Sequence, residues 1–253
     1  MQLRSRRIAQ QGLSLVELMV GITIGLIITA GASMVAVNQI NEHRRLTLET
    51  QVQQDLRTAA DLIQQDLRRA GFRGVPSDGV WSPASGGATP ISEQQAAPNP
   101  YAEITQTTSE DGNLVVRQYS YAKTNAQGLY TSTPSPGNNE RFGVRWDRSA
   151  GVLYIQIGMN ANGSENWQPI TDPDLLRITD FQLTPITQSV ALSDFCDPCP
   201  TGATCTASST TLTVRQVNFV IRAQARHDPN VIRTLSGVER VRADAQAGAC
   251  PTW

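Results

Sequence analysis

The sequence predicts an α+β protein in which one long N-terminal helix packs against a head of antiparallel β-structure. Three observations predict it. No proline interrupts the chain from Leu13 to Ala70, and from Asn38 onward that stretch has no glycine either. Short β-rich segments separated by turn residues follow from about residue 100 to the C-terminus. The boundary between the two regimes is marked by Gly71, a residue suited to ending a helix.

The first half of the helix is read from its apolarity. Side chains from Leu13 to about Val37 suit a bilayer, and about 20 residues suffice to cross one. Arg4, Arg6 and Arg7 flank the run on its N-terminal side, which orients the arginines to the cytoplasm and the bulk of the chain to the opposite side. One residue breaks the pattern. Glu17 places a carboxylate four residues inside the apolar run, at a cost of about 2.5–3.5 kcal/mol, so it needs a partner. A secretory signal peptide also combines a basic start with an apolar core, and Ala30-Gly31-Ala32 resembles a cleavage site. The run is long for such a core and contains Glu17. A plain membrane anchor shares the same topology.

The second half is read from periodicity. Val52, Leu56, Ala59, Ile63, Leu67 and Ala70 recur at three- and four-residue steps, forming one apolar stripe of a helix. Arg57 and Asp61 are spaced to pair along its surface. Arg68 and Arg69 sit where the helix dipole favours cations, just before Gly71. The whole element is expected to extend about 85 Å at 1.5 Å per residue.

Gln10-Gln11-Gly12-Leu13-Ser14-Leu15-Val16-Glu17, between the basic flank and the apolar run, resembles the N-terminus of a type IV prepilin. Gln65-Asp66-Leu67-Arg68-Arg69-Ala70-Gly71-Phe72 resembles the end of the long helix in the PilW family of minor pilins, which is akin to the J-type pseudopilins of type II secretion. The resemblance covers the first 72 residues and is diffuse beyond them. It implies a type IV pilin-like fold with a leader peptide at 1–12, a transmembrane part of the helix at 13–37, an amphipathic part at 38–71 and a periplasmic β-rich head at 72–253. It implies that prepilin peptidase cuts between Gly12 and Leu13 and methylates the new amino terminus of Leu13. It also implies that Glu17 sets subunit register by reaching the amino terminus of a neighbouring subunit. Leu13 departs from the phenylalanine that usually begins the mature chain, and the apolar half lacks the proline of many major pilins. Gly21-Ile22-Thr23-Ile24-Gly25 instead offers a small-residue surface that another helix can approach closely.

Within the head, 76–100 reads as a long loop rich in Pro, Gly, Ser, Ala and Gln. Strands are expected around Leu114–Tyr119, Phe142–Trp146, Val152–Ile157 and Ile178–Leu183. The clearest lies within Leu212–Arg226, where Val217, Phe219, Ile221, Ala223 and Ala225 alternate with polar residues. Val238–Arg242 is expected to close against it, and His227-Asp228-Pro229-Asn230 reads as the intervening turn. An antiparallel sheet lying on the amphipathic half of the helix is the expected layout.

Four cysteines, Cys196, Cys199, Cys205 and Cys250, fall in the part expected to face the periplasm, where disulfides persist. Cys196-Asp197-Pro198-Cys199 has C-x-x-C spacing, but in loop sequence rather than after a strand and before a helix. The four lack the paired-knuckle spacing of a zinc site. Two disulfides are the reading adopted, with three connectivities open; in each, one bridge ties Cys250 to the 196–205 loop.

A net charge of −1 supplies no electrostatic footprint for nucleic acid. His43 and His227 are the only histidines, and no Gly-x-Ser-x-Gly, phosphate loop or His-Glu-x-x-His is present. No enzyme, cofactor or metal is expected. The resemblance implies instead a minor pilin in a priming or tip complex. Its expected partners are other minor pilins, the major pilin, prepilin peptidase, the inner-membrane assembly machinery and the inner membrane itself. The expected location is the inner membrane, single-pass with a periplasmic head, and the pilus after assembly. The alternatives are a J-type pseudopilin of a type II secretion system, or a membrane-anchored or secreted β-rich binding protein unrelated to pili.

Overall fold

The computed structural model describes residues 14–75, 99–130, 135–204 and 210–247, with side chains to 244. Helix α1 runs from Leu15 to Arg69, 55 residues without a break. The chain divides into two compact units at Leu48 and Glu49.

In the first unit the helix carries an apolar window with a mean hydropathy of 2.1, and no part of that window is buried. It is long and apolar enough to cross a membrane. Its hydroxyl side chains satisfy themselves locally. Thr23 donates to the Met19 carbonyl at 3.0 Å, Thr29 to Gly25 at 2.6 Å and Ser33 to Thr29 at 2.8 Å. Such bonds to the preceding turn let Ser and Thr face hydrocarbon without an unpaired donor.

The second unit begins with the remaining turns of α1 and contains, among the described residues, eight strands: β1 Thr105–Thr108, β2 Leu114–Ser120, β3 Arg141–Asp147, β4 Val152–Met159, β5 Glu165–Pro169, β6 Leu176–Ala191, β7 Thr211–Ala225 and β8 Ile232–Ala247. They form two antiparallel meanders, so the expected antiparallel head is built from two sheets. One has the order β1-β2-β3-β4-β5, the other β6-β7-β8. The break follows Pro169, where the chain turns with the Leu175 and Leu176 amides bonded to the Asp172 carbonyl. β6 then pairs with β7 instead of extending the first sheet.

The helix stripe is buried as its spacing predicts. Val52, Leu56, Ala59, Ile63, Leu67 and Ala70 are all at most 2% exposed, and Ala60 joins them. On β7 the alternating set Val217, Phe219, Ile221, Ala223 and Ala225 is likewise buried. A bulge between Ile178 and Asp180 shifts the inward phase of β6, so that Leu176 and Ile178 face the core on one side of it and Phe181 and Leu183 on the other. Gly237 on β8 lies opposite Phe219. A Cβ there would stand 2.4 Å from the Phe219 ring and 3.2 Å from Gln64 of α1, so only glycine lets ring and helix approach together. The predicted turn at 227–230 is present, with Asp228 accepting from the Asn230 amide at 3.0 Å.

Candidate functional site

Two regions carry the features singled out in the sequence: the start of α1, and the seat that holds its other end in the head. At the start, Arg4, Arg6, Arg7, Gly12 and Leu13 lie outside the described residues. Ser14 precedes the helix and its carbonyl accepts from the Leu18 amide at 3.1 Å. Glu17 sits in the first turn, where the helix dipole favours an anion. Among the described residues none pairs with its carboxylate. Gly21 and Gly25 fall one turn apart, and a Cβ built on either meets nothing within 4 Å. This stretch therefore presents an apolar surface, a bare glycine pair and one carboxylate, with no cover from the described residues of its own unit.

The seat is built from the last turns of α1. Asp66 is flanked by buried Ile63 and Leu67, and its two carboxylate oxygens accept from the Tyr119 and Tyr121 hydroxyls of the β2 region, each at 3.1 Å. Burial raises the Asp66 pKa above the ordinary carboxylate range, against the opposing pull of the two phenols and the charges of Arg69 and Lys123. Burial and the Asp66 charge push both tyrosines upward, so they remain donors. Tyr121 stacks on Phe142 with ring centroids 3.9 Å apart, carrying the contact into β3.

On the other side the helix grips the second sheet. Arg68 pairs with Glu239 of β8 at 2.8 Å, and Glu49 pairs with Arg233. The Asp55 carboxylate accepts from the Asp172 amide at 3.3 Å in the turn between the sheets. Arg57 and Asp61, expected to pair, form no ion pair, as exposed helix pairs often do not.

Where the helix stops, Gly71 adopts φ 77° and its amide donates to the Ser120 carbonyl at 2.8 Å. The Ala122 amide returns a bond to Phe72 at 2.8 Å, and Asn99 donates to the Gly71 carbonyl at 2.7 Å. Arg215, only 8% exposed, donates to the carbonyls of Ala102 and Ala243 beside this turn. The acid-Leu-Arg-Arg-Ala-Gly stretch thus acts as a clasp binding helix, both sheets and the following loop. The sequence marked Asp66, Arg68 and Gly71, but not Tyr119, Tyr121, Glu239 or Arg215. Their partners lie 28 to 171 positions away, and the only local hint was a carboxylate between two stripe residues.

Among the described residues no cysteine is a free thiol; Cys205 and Cys250 lie outside them, as does most of the predicted 76–100 loop.

A family model for prepilin peptidase-dependent protein B matches residues 45–241. A second, for the prokaryotic N-terminal methylation motif, matches residues 7–33. No curated protein and no solved structure matches significantly. The first match spans the clasp and both sheets; the second spans Gly12, Leu13, Glu17 and the Gly21–Gly25 face.

Proposed function

Because the chain belongs to the family of prepilin peptidase-dependent protein B, we propose that it is a minor pilin of the PilW type, cut between Gly12 and Leu13, methylated on Leu13, and incorporated into a priming or tip complex with other minor pilins. The observation that carries this reading is the methylation motif over residues 7–33, which brackets the glycine, the new amino terminus and Glu17 together. The uncovered apolar stretch of α1 supports it: such a surface suits a bilayer before assembly and neighbouring helices after it.

In this reading the amine created on Leu13 is the missing partner of Glu17. It stands only four residues before Glu17 in the same chain, an awkward spacing for pairing, whereas the amine of a subunit offset along a fibre axis reaches it. Removing one member of a buried pair is strongly destabilising, so the pair serves register more than net stability. The protein does no chemistry of its own; it packs and recognises. The four cysteines form two disulfides in the periplasm, one of them holding the C-terminal tail to the 196–205 loop. The prepilin sits in the inner membrane with the head in the periplasm.

The test is the intact mass and N-terminal peptide of the membrane-extracted protein, with and without the prepilin peptidase. A chain beginning at methylated Leu13, lost without the peptidase, is expected. A start at Met1 would leave a simple anchor, and a start after Ala32 a secreted protein; either sinks the proposal.

A further inference from the structure

A cavity of about 240 Å³ lies inside the second unit, between the β1–β2 hairpin and β6, and no part of the pilin reading uses it. On the hairpin side its wall is two cross-strand pairs, Gln106 with Arg117 and Thr108 with Val115. Members of such pairs share one face of a sheet. Here it is the inner face, because Arg117 also lies opposite fully buried Val144 on β3. The facing wall is four consecutive residues of β6, 181–184. Successive strand residues point to opposite faces, so a cavity lined by all four runs along the edge of β6 rather than over one face.

That edge is unpaired. β6 lies at one end of its sheet and pairs only with β7. Pro185 shows which groups turn outward. Proline has no N–H, and a strand accommodates it where that position points away from the neighbouring strand. Hydrogen-bonding direction alternates along an antiparallel strand, so the amides of Leu183 and Phe181 point to the free edge as well. The Ile178 amide, in phase with them across the bulge, does turn outward and donates to the Gly151 carbonyl at 2.7 Å. Among the described residues no backbone bond outside the β7 ladder engages 181–184.

The cavity carries one sign of charge. Arg117 and Arg148 line it, and no acidic side chain does. Arg148 is held in place, donating to the Gly112 carbonyl at 3.0 Å and lying 4.9 Å from the centroid of the Trp146 ring. Arg117 is half-buried, and among the described residues nothing hydrogen-bonds its guanidinium. Burial pushes its pKa below the ordinary arginine value. Asp180, the one acid on β6, accepts from Gln182 at 3.1 Å and does not line the cavity. A cation drawn out of water without a counter-charge is costly, and an incoming anion offsets that cost. The guanidinium fork matches a carboxylate through two parallel bonds. Val115 adds apolar surface that suits the carbon stem of such a group. The volume falls below the roughly 300–1,000 Å³ of small-molecule sites and suits a single side chain.

We propose that this cavity and the β6 edge form a docking site for an extended acidic segment of a partner protein. The segment lies beside the amides of Phe181 and Leu183 and seats one side-chain carboxylate on Arg117, with Arg148 as the second cation. The site gives the head a means of selecting a partner that does not depend on the processing or assembly of α1.

The test uses the full-length protein in a zwitterionic detergent and fluorescence anisotropy of a short peptide carrying a neutral dye and an amidated C-terminus. Its central glutamate, flanked by valine and threonine, is its only carboxylate; a twin carries glutamine instead. The glutamate peptide is expected to bind, and the glutamine twin to bind at least about tenfold more weakly, as loss of a charge-assisted bond implies. Arg117→Gln is expected to weaken binding of the glutamate peptide by a similar factor while leaving the melting temperature equal or higher, because an unpaired buried cation is gone. Arg148→Gln, at an exposed position, is expected to weaken it several-fold and gives a readout independent of the packing around Arg117. Absence of binding to folded protein, equal binding of the two peptides, or binding unaltered in both variants overturns the proposal. So does displacement of the peptide by an equal concentration of butyrate or inorganic phosphate, which would make the cavity a site for a free anion. None of these outcomes bears on whether Gly12–Leu13 is cut.

Discussion

At the scale of single residues, Asp66 is the most consequential group in the clasp. Its carboxylate holds a proton more tightly in the folded head than in the unfolded chain, because burial opposes the charge. The linked stability is fully present below the unfolded value and is lost as pH rises through the folded one. Melting temperatures of wild type and Asp66→Asn measured from pH 7 down to pH 4 are therefore expected to diverge, the wild type gaining on the variant as pH falls. Parallel curves would show that the carboxylate is not desolvated in the fold. Asp66→Ala, by contrast, leaves the Tyr119 and Tyr121 hydroxyls without their acceptor and is expected to cost about 1–3 kcal/mol at any pH in that range. Gly71 makes a second residue-scale prediction. Its φ of 77° alone costs an L-residue about 1–2 kcal/mol, and a Cβ would stand 2.7 Å from the Arg215 guanidinium. Chemical denaturation of Gly71→Ala is expected to show a loss of at least that size. An unchanged midpoint would mean that the turn relaxes freely.

At the scale of elements, legibility followed the amount of local pattern. The amphipathic half of α1 and strand β7 could be read in full, since each buries one face against the rest of the head and so keeps a strict period. β1 and β5 could not. Thr105–Thr108 is polar throughout and Glu165–Pro169 has a single tryptophan, as befits sheet edges, whose side chains are chosen to discourage further pairing. β6 and β8, at 16 residues each, run well beyond the segments their sequences suggest. Pro185 hides the middle of β6, yet proline is tolerated on an edge strand, and β7 supplies the pairing that continues it. The split into two sheets was invisible because no local pattern says which strand a β-segment will pair with. The candidate site divides the same way. The methylation motif is contiguous and legible, whereas the clasp and the cavity join residues from distant strands. The stripe itself yields a contrast experiment. Ile63→Ala, at a fully buried position, is expected to cost about 2–5 kcal/mol, while Leu62→Ala next to it, 40% exposed, stays well below that. Equal losses in urea denaturation would refute the packing assigned to this face.

At the scale of the whole molecule, the chain divides into a unit with its own buried core and a helix start that no described residue of its own unit covers. The Arg233 pair, the buried stripe and the clasp lie within the second unit, at or after Glu49. Changes near the N-terminus should therefore leave the head unaltered and act only between molecules. Glu17→Ala is the sharpest instance. Removing the carboxylate takes away a charge that costs about 2.5–3.5 kcal/mol in hydrocarbon, so membrane insertion should be equal or easier. The Gly12–Leu13 junction is untouched, and the melting of the head should match the wild type. What is lost, if the proposed function holds, is the counter-charge for a neighbour's amino terminus, and with it the register of the assembly. Fractionation should then find the variant in the membrane at normal abundance but depleted from sheared fibres and from copurified minor-pilin complexes. Normal recovery in both fractions would remove the register role. Loss from the membrane itself would point instead to a folding or targeting defect, which the intact melting of the extracted head would distinguish.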